Sequence, residues 1–122
     1  EHFVRGRVVH GAHRGAGLGF PTANVRVRTG LMPPNGVYAV RVTHGGENHG
    51  GVANLGVNPT FGGGERSLEP HLFDFSGDLY GQMVKVSFVR RLRDERRFES
   101  AEALVAQIRR DADEARAALS RG

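Results

Sequence analysis

Short valine-rich segments, separated by glycine, proline or asparagine, fill the first three quarters of the chain. Apolar and polar residues alternate along several of them, which is the pattern of strands with one buried face. Turn-forming sequences lie between them at residues 33–36 (PPNG), 44–48 (HGGEN) and 61–65 (FGGGE). The predicted strands are Val4–Gly11, Ala23–Gly30, Gly36–Gly46, Gly50–Val57, Ser67–Phe75 and Gln82–Leu92. This spacing indicates a mostly β sandwich or barrel.

The hydrophobic period changes to that of a helix near the C-terminal end. Apolar residues recur there at helical spacing, which predicts one amphipathic helix over about residues 100–119. Ser100 is suited to cap this helix, and Glu102 in the first turn is favourable to the helix dipole. The apolar stripe consists of Leu104, Val105, Ile108, Ala112, Ala115 and Leu119. We expect the stripe to pack on the β-structure, and we assign no chemistry to the charged face.

Length and composition fit a single folded domain of 122 residues. No apolar run approaches the roughly 20 residues that a membrane-spanning helix needs, and no signal-peptide pattern is present. The chain has no cysteine, which excludes disulfides, thiolate catalysis and cysteine-bound zinc. A reducing compartment, the cytoplasm, is therefore the expected location. Because the chain starts on Glu1 without a methionine, we expect it to be a part of a longer protein.

The charge balance is basic. The formal net charge is +4, and all 17 basic residues except Lys85 are arginine. One interpretation is an arginine-rich genome composition. The other is an anionic partner, either nucleotide phosphates or nucleic acid. Net charge does not distinguish between these interpretations.

A glycine-rich stretch, GAHRGAGLGFPTAN, occupies residues 11–24. Its glycines would let backbone N–H groups approach phosphate oxygens without obstruction by side chains. It is not a Walker loop, because no Gly-Lys-Ser/Thr sequence follows the glycines. Spacing alone favours the simpler alternative, a glycine-rich turn without a ligand.

The end of this stretch carries two small oxygen-bearing side chains. Pro21 favours extended backbone before it, and in extended backbone Thr22 and Asn24 point to the same side. A hydroxyl and an amide oxygen suit a hard cation such as Mg²⁺, which takes its other ligands from water and phosphate. The sequence thus offers a candidate metal site without requiring one.

The predicted fifth strand, SLEPHLFDF, contains the carboxylate of Glu69. Strand alternation places Glu69 and Leu68 on opposite faces. A glutamate among aromatic neighbours is either ordinary surface or a carboxylate held for proton abstraction. The strand by itself favours the surface interpretation.

An arginine-rich stretch, RRLRDERRF, covers residues 90–98. Its arginines and terminal phenylalanine are able to contact phosphate or to stack on a planar ring. The alternative interpretation is a solvated basic loop that precedes the helix.

Taken together and in this order, these stretches resemble the riboflavin kinase family, and most of all the kinase module at the C-terminal end of bacterial bifunctional FAD synthetases. The resemblance covers nearly the whole chain. It rests on GLGFPTAN (17–24), NGVYAV (35–40), GVANLGVNPTF (51–61), LEPHLFDFSGDLYG (68–81) and RLRDERRFES (91–100). It implies a six-stranded antiparallel Greek-key β-barrel over about residues 3–92, with the helix packed outside. It also implies transfer of the γ-phosphoryl group of Mg-ATP to the ribityl 5′-hydroxyl of riboflavin, which gives FMN and ADP.

The resemblance also implies roles for individual residues. Glu69 is expected to act as the general base and to lie at the flavin. Thr22 and Asn24 are expected to bind Mg²⁺. The positions expected to bind ATP are Gly11, Gly15, Gly17, Gly19, Pro21, Thr22, Asn24, Leu72 and Tyr80. The positions expected to cover the flavin, besides Glu69, are Arg93, Arg96 and Phe98.

Two positions depart from the family pattern. Ala16 stands where the family usually carries an arginine or lysine, and Pro70 stands beside Glu69 where a β-branched or small residue is more usual. The change at Ala16 supports a second hypothesis, a flavin- or nucleotide-binding module with weak or lost kinase activity. A third hypothesis is a barrel that binds nucleic acid, and it is disfavoured because the aromatic residues form no dense stacking platform with the arginines.

The expected partners are the small molecules riboflavin and ATP, without nucleic acid or membrane. The adenylyltransferase module of bifunctional relatives is absent from this chain. It would precede the chain in a full-length bifunctional protein, and the alternative is a self-standing kinase. This chain is therefore expected to stop at FMN.

Overall fold

The computed structural model describes residues 2–9, 24–57, 66–73, 79–95 and 98–121, to which all structural statements refer. The elements are β1 (His2–Val9), β2 (Asn24–Thr29), β3 (Gly36–His44), β4 (Glu47–Val57), β5 (Arg66–Leu72), β6 (Met83–Arg93) and α1 (Ala101–Arg121). Every predicted strand has a counterpart, although β4 begins at Glu47 and not at Gly50. The ends of the first and fifth predicted strands, at residues 10–11 and 74–75, lie outside the described residues.

The strands form a closed barrel in which every pair is antiparallel, in the order β1-β2-β5-β4-β3-β6. Strands β3, β4 and β5 follow one another, and β6 returns to lie beside β3, which is the arrangement of a Greek key. The hairpin of β3 and β4 turns at Gly45 and Gly46, whose φ angles of 56° and 86° suit a two-residue turn. The prediction of a six-stranded antiparallel Greek-key barrel is confirmed.

The barrel wall separates two apolar clusters. Alternate residues of each strand point inward and form the barrel core. Its fully buried members include Val4, Val40, Val42, Leu55, Leu68 and Val86. The outer cluster lies between the barrel and α1 and contains Val37, Ala39, Val52, Phe73, Ala115 and Ala118. Because β3 contributes to both clusters, it is apolar along most of its length and does not alternate.

Helix α1 packs outside the barrel, as the sequence predicts. The amide of Ala103 donates to Ser100 Oγ at 3.1 Å, so the predicted cap is confirmed. Gly50 makes room for the end of the helix, because a Cβ there would lie 2.8 Å from Cδ1 of Leu119. Among the described residues, no helix has the length and apolar character needed to cross a membrane.

The packed face of α1 is less apolar than the predicted stripe. Two polar residues, Gln107 and Asp111, are buried there. Several members of the predicted stripe, among them Leu104 and Ile108, are only half-buried. The exposed face of the helix is charged, as expected, and carries Arg109, Arg110, Asp113, Glu114 and Arg116.

Candidate active site

Polar side chains from three neighbouring strands meet on the outer face of the barrel. Val25 of β2 pairs with Leu68 of β5, and both point into the core. In an antiparallel ladder this register places the preceding residue, Asn24, opposite the following residue, Glu69. On the other side of β5, Glu69 pairs with Asn54 of β4. Residues directly opposite share one face of a sheet, so Asn24, Glu69 and Asn54 form one polar row.

Asn24 is fully buried, with 0% of its surface exposed. Neither Nδ2 nor Oδ1 of its side chain has a hydrogen-bond partner within the described structure. Leaving a buried polar group unsatisfied costs about 1–3 kcal/mol. Such a cost is typical of positions at which a ligand completes the hydrogen bonding, and this makes Asn24 a candidate ligand-binding residue.

Glu69 is 5% exposed. Carboxylates are rarely buried to this extent unless they are partnered. The ordinary-surface interpretation of Glu69 is therefore wrong, whereas its role as a general base stays a prediction. The neighbouring Pro70 lies opposite Ala53 and leaves the β4–β5 register unbroken.

Ser67 adds a second unsatisfied polar group to the same face of β5. It is 2% exposed, and its Oγ has no partner within the described structure. It lies two positions before Glu69, so strand alternation puts both side chains on one face. Sequence reasoning missed Ser67, although its spacing from Glu69 was a signal that it shares the site.

A second carboxylate lies against β4 beside this row. Asn54 Nδ2 donates to Glu95 Oε2 at 3.2 Å. A Cβ built on Gly56 would lie only 1.8 Å from the same oxygen. The carboxylate of Glu95 therefore rests on the backbone of Gly56, next to the pair formed by Asn54 and Glu69. Sequence reasoning did not single out Glu95, Asn54 or Gly56.

Arg93 and Phe98, both predicted to cover the flavin, lie together. The guanidinium carbon of Arg93 is 5.8 Å from the centroid of the Phe98 ring. Arg93 directs its Nε and Nη2 donors at the carboxylate of Asp111, at 2.9 and 2.7 Å. The third predicted residue, Arg96, lies outside the described residues. Flavin contact by these residues stays a prediction.

Asp94 fixes the chain between these groups. Arg91 Nη2 donates to Asp94 Oδ1 at 2.6 Å, and this hydrogen bond raises the pKa of Arg91 above its ordinary value. Arg91 Nη2 also donates to the carbonyl of Asn35 at 2.8 Å. The chain that leaves β6 is thus bound to the turn that precedes β3.

The predicted ATP-binding residues are only partly described. Gly11, Gly15, Gly17, Gly19, Pro21 and Thr22 lie outside the described residues, as does Ala16. Leu72 packs against the barrel core, and Tyr80, before β6, is 50% exposed. Nucleotide binding by all of these residues stays a prediction.

Within the described ranges, no three His, Asp or Glu side chains gather in a way that could hold a metal ion. A Mg²⁺ site of the kind predicted does not depend on such a cluster, because its ligands are an amide, a hydroxyl, waters and phosphates.

Comparison with known proteins identifies the family. The riboflavin kinase family model matches residues 1–119. The chain is 49% identical over 115 residues to the bifunctional riboflavin kinase/FMN adenylyltransferase of Haemophilus influenzae, which covers 93% of this chain and 37% of that protein. The chain thus spans little more than a third of this curated relative.

Two solved structures are similar to the barrel and helix. One is described as a macrolide-efflux protein from Streptococcus pneumoniae, with a TM-score of 0.86, 40% identity, and coverage of 93% of this chain and 38% of that one. The other is a riboflavin kinase from Trypanosoma brucei, with a TM-score of 0.64, 29% identity, and coverage of 97% of this chain and 79% of that one.

Proposed function

The chain belongs to the riboflavin kinase family, and we propose that it transfers the γ-phosphoryl group of ATP to the ribityl 5′-hydroxyl of riboflavin, giving FMN and ADP. One observation carries the proposal beyond family membership. The buried carboxylate of Glu69 lies in register with the buried, unpartnered amide of Asn24 on the outer barrel face. The reaction needs a general base close to a polar side chain that is available to bind the metal or phosphate, and these two groups lie on adjacent strands.

Glu69 is the proposed general base. Phosphoryl transfer depends mainly on positioning and on stabilisation of charge, and a carboxylate that accepts the proton of the attacking hydroxyl is one of its recurring parts. In this role Glu69 accepts the proton of the ribityl hydroxyl while the hydroxyl oxygen attacks the γ-phosphorus. A positioned base contributes about 10²–10⁴-fold to the rate. Burial of Glu69 supports the role because it fixes the carboxylate and limits its contact with water.

Asn24 is the proposed metal and phosphate ligand, together with Thr22. The Oδ1 atom of Asn24 is a buried acceptor without a protein partner in the described structure, which fits an oxygen-seeking cation such as Mg²⁺. When bound, Mg²⁺ would neutralise part of the charge on the ATP phosphates. Asn24 and Thr22 would position the metal-bound phosphates near the hydroxyl beside Glu69.

The proposed acceptor side lies at the end of β6. Phe98 is half-buried and offers an aromatic ring for contact with the planar flavin, next to the guanidinium of Arg93. Planar ring systems prefer offset or edge contacts with aromatic side chains, and these add about 0.5–1.5 kcal/mol to the burial itself. The same residues were predicted from the sequence.

FMN is the proposed product of this domain. The name of the Haemophilus relative combines the kinase with an adenylyltransferase, and this chain covers 37% of that protein. We propose that any conversion of FMN to FAD belongs to a separate module. A cytoplasmic location is also part of the proposal, since a chain without cysteine fits a reducing compartment.

One assay separates the candidate functions. The protein is incubated with riboflavin, ATP and Mg²⁺, FMN is followed by chromatography, and riboflavin binding is read from flavin fluorescence. Formation of FMN is the expected result. Binding without FMN would replace the proposal with a binding module, and the absence of both would contradict it and turn attention to nucleic acid.

A further inference from the structure

The buried polar residues of α1 form a network that the proposed chemistry does not use. Asp111 is 4% exposed and Gln107 is 7% exposed. Gln107 Nε2 donates to Asp111 Oδ1 at 2.9 Å, and Arg110 Nη2 donates to Gln107 Oε1 at 2.9 Å. Both oxygens of Asp111 also accept hydrogen bonds from Arg93, so each carboxylate oxygen has at least one donor. A bidentate arginine–carboxylate pair fixes orientation as well as distance.

This network holds the chain at the point where it leaves β6. Besides its two bonds to Asp111, Arg93 donates through Nη1 to the carbonyl of Asp94 at 2.8 Å. The Asp94 carboxylate is bound in turn by Arg91. Residues 93–94 are therefore fixed both to the helix and to their own strand.

The next residue connects this anchor to the candidate active site. Glu95 reaches back over β4, where its carboxylate accepts from Asn54 and rests on Gly56. Asn54 is the direct ladder neighbour of Glu69. A continuous set of contacts thus leads from Asp111 through Arg93 and Glu95 to the row that contains the proposed base.

We propose that Asp111 is a positioning residue for the riboflavin side of the site, acting through Arg93 and Glu95, an inference that rests on the proposed function. Loss of the Asp111 carboxylate would release residues 93–95 and shift Glu95 from Asn54. Riboflavin would then bind to a site in which Glu95 is displaced. Asn24, on the opposite side of Glu69, would keep its position. A tenfold rise in a dissociation constant corresponds to the loss of about 1.4 kcal/mol of binding free energy.

The simpler alternative is that the ion pair only attaches the helix to the barrel. In that case its loss lowers stability and leaves the ligand affinities of the folded protein unchanged. The two accounts differ in one measurable respect, the ratio of riboflavin affinity to ATP affinity.

The test compares Asp111→Asn with a matched control, Asp113→Asn, which makes the same exchange at an exposed position of the same helix. A second variant, Gly56→Ala, disturbs the other end of the connection. The three atoms nearest to its new Cβ all belong to the flexible Glu95 side chain, so the substitution displaces that carboxylate and leaves Asp111 unchanged. Dissociation constants are measured by fluorescence titration for riboflavin and by calorimetry for Mg-ATP, at a temperature where circular dichroism shows every variant folded.

The expected result is a rise of roughly tenfold in the riboflavin dissociation constant for Asp111→Asn and Gly56→Ala, with unchanged affinity for Mg-ATP and an unchanged control. Riboflavin affinity equal to that of the control in either variant would overturn the inference. Formation of FMN by the wild-type protein is scored separately, so that failure of the proposed function is distinguished from failure of the positioning role.

Discussion

Glu69 of β5 lies directly opposite Asn54 of β4, with both side chains on the outer face of the barrel wall. Asn54 is hydrogen-bonded to Glu95, and on the other side of Glu69 the register places the unpartnered Asn24. One neighbour of the proposed base, Asn54, therefore has a hydrogen-bond partner, whereas the side chain of the other neighbour, Asn24, has none in the described structure. This asymmetry supports the proposal that the acceptor binds on the side of Asn54 and that the metal and phosphates bind on the side of Asn24.

Replacement of Asn24 by leucine is expected to separate stability from function. An unsatisfied buried amide costs about 1–3 kcal/mol, and an apolar group of similar shape removes that cost. Asn24→Leu should therefore increase the free energy of unfolding in the absence of ligands, as measured by urea denaturation. The same variant should lose affinity for Mg-ATP, since the proposed metal ligand is gone.

Asn48→Leu is the matched control for Asn24→Leu, because it makes the same exchange at an exposed position of β4. It should leave both the free energy of unfolding and the affinity for Mg-ATP close to those of the wild-type protein. Destabilisation by Asn24→Leu, or undiminished Mg-ATP binding in that variant, would contradict the role given to Asn24.

An arginine at position 16 is expected to strengthen nucleotide binding. The glycine-rich stretch carries Ala16 where the family usually has a basic residue, and a cation there would neutralise part of the ATP phosphate charge. Ala16→Arg should lower the KM for ATP and leave the KM for riboflavin unchanged in steady-state assays of FMN formation. An unchanged KM for ATP would show that this position is not at the phosphates.

Truncation of Phe98 is expected to weaken flavin binding. Aromatic contacts contribute about 0.5–1.5 kcal/mol beyond burial, so Phe98→Ala should raise the riboflavin dissociation constant by roughly tenfold. Phe3→Ala provides the control, because Phe3 also lies near cationic side chains, those of Arg5 and Lys85 on β1 and β6. Equal riboflavin affinity of the two variants, read by flavin fluorescence, would remove Phe98 from the flavin site.

The fold was predictable because local patterns determine most of it. Strand alternation separates Leu68, in the core, from Glu69, on the outer face, and that assignment needs no knowledge of other strands. Ser100 caps its helix through a hydrogen bond with Ala103, which is only three residues later in the chain. The Greek-key barrel was predicted from the family resemblance, since alternation by itself does not say which strands pair.

The details of the site were harder to predict because they depend on contacts between distant residues. Asp111 is buried among apolar positions because Arg93, 18 residues earlier, meets it there. A search for apolar stripes passes over such a residue, although Asp111 is in helical phase with the buried Ala115 and Ala118. Asn54 and Glu95 are 41 residues apart, and no local pattern connects them.

The most direct test of the central claim is the turnover number for FMN formation by Glu69→Gln, measured beside the wild-type protein and the exposed-site control Glu114→Gln. Glutamine keeps the size of the side chain but accepts no proton. We expect riboflavin and Mg-ATP affinities to persist while kcat falls by about 10²–10⁴-fold, with the control unchanged. A kcat close to that of the wild-type protein would contradict the assignment of Glu69 as the base.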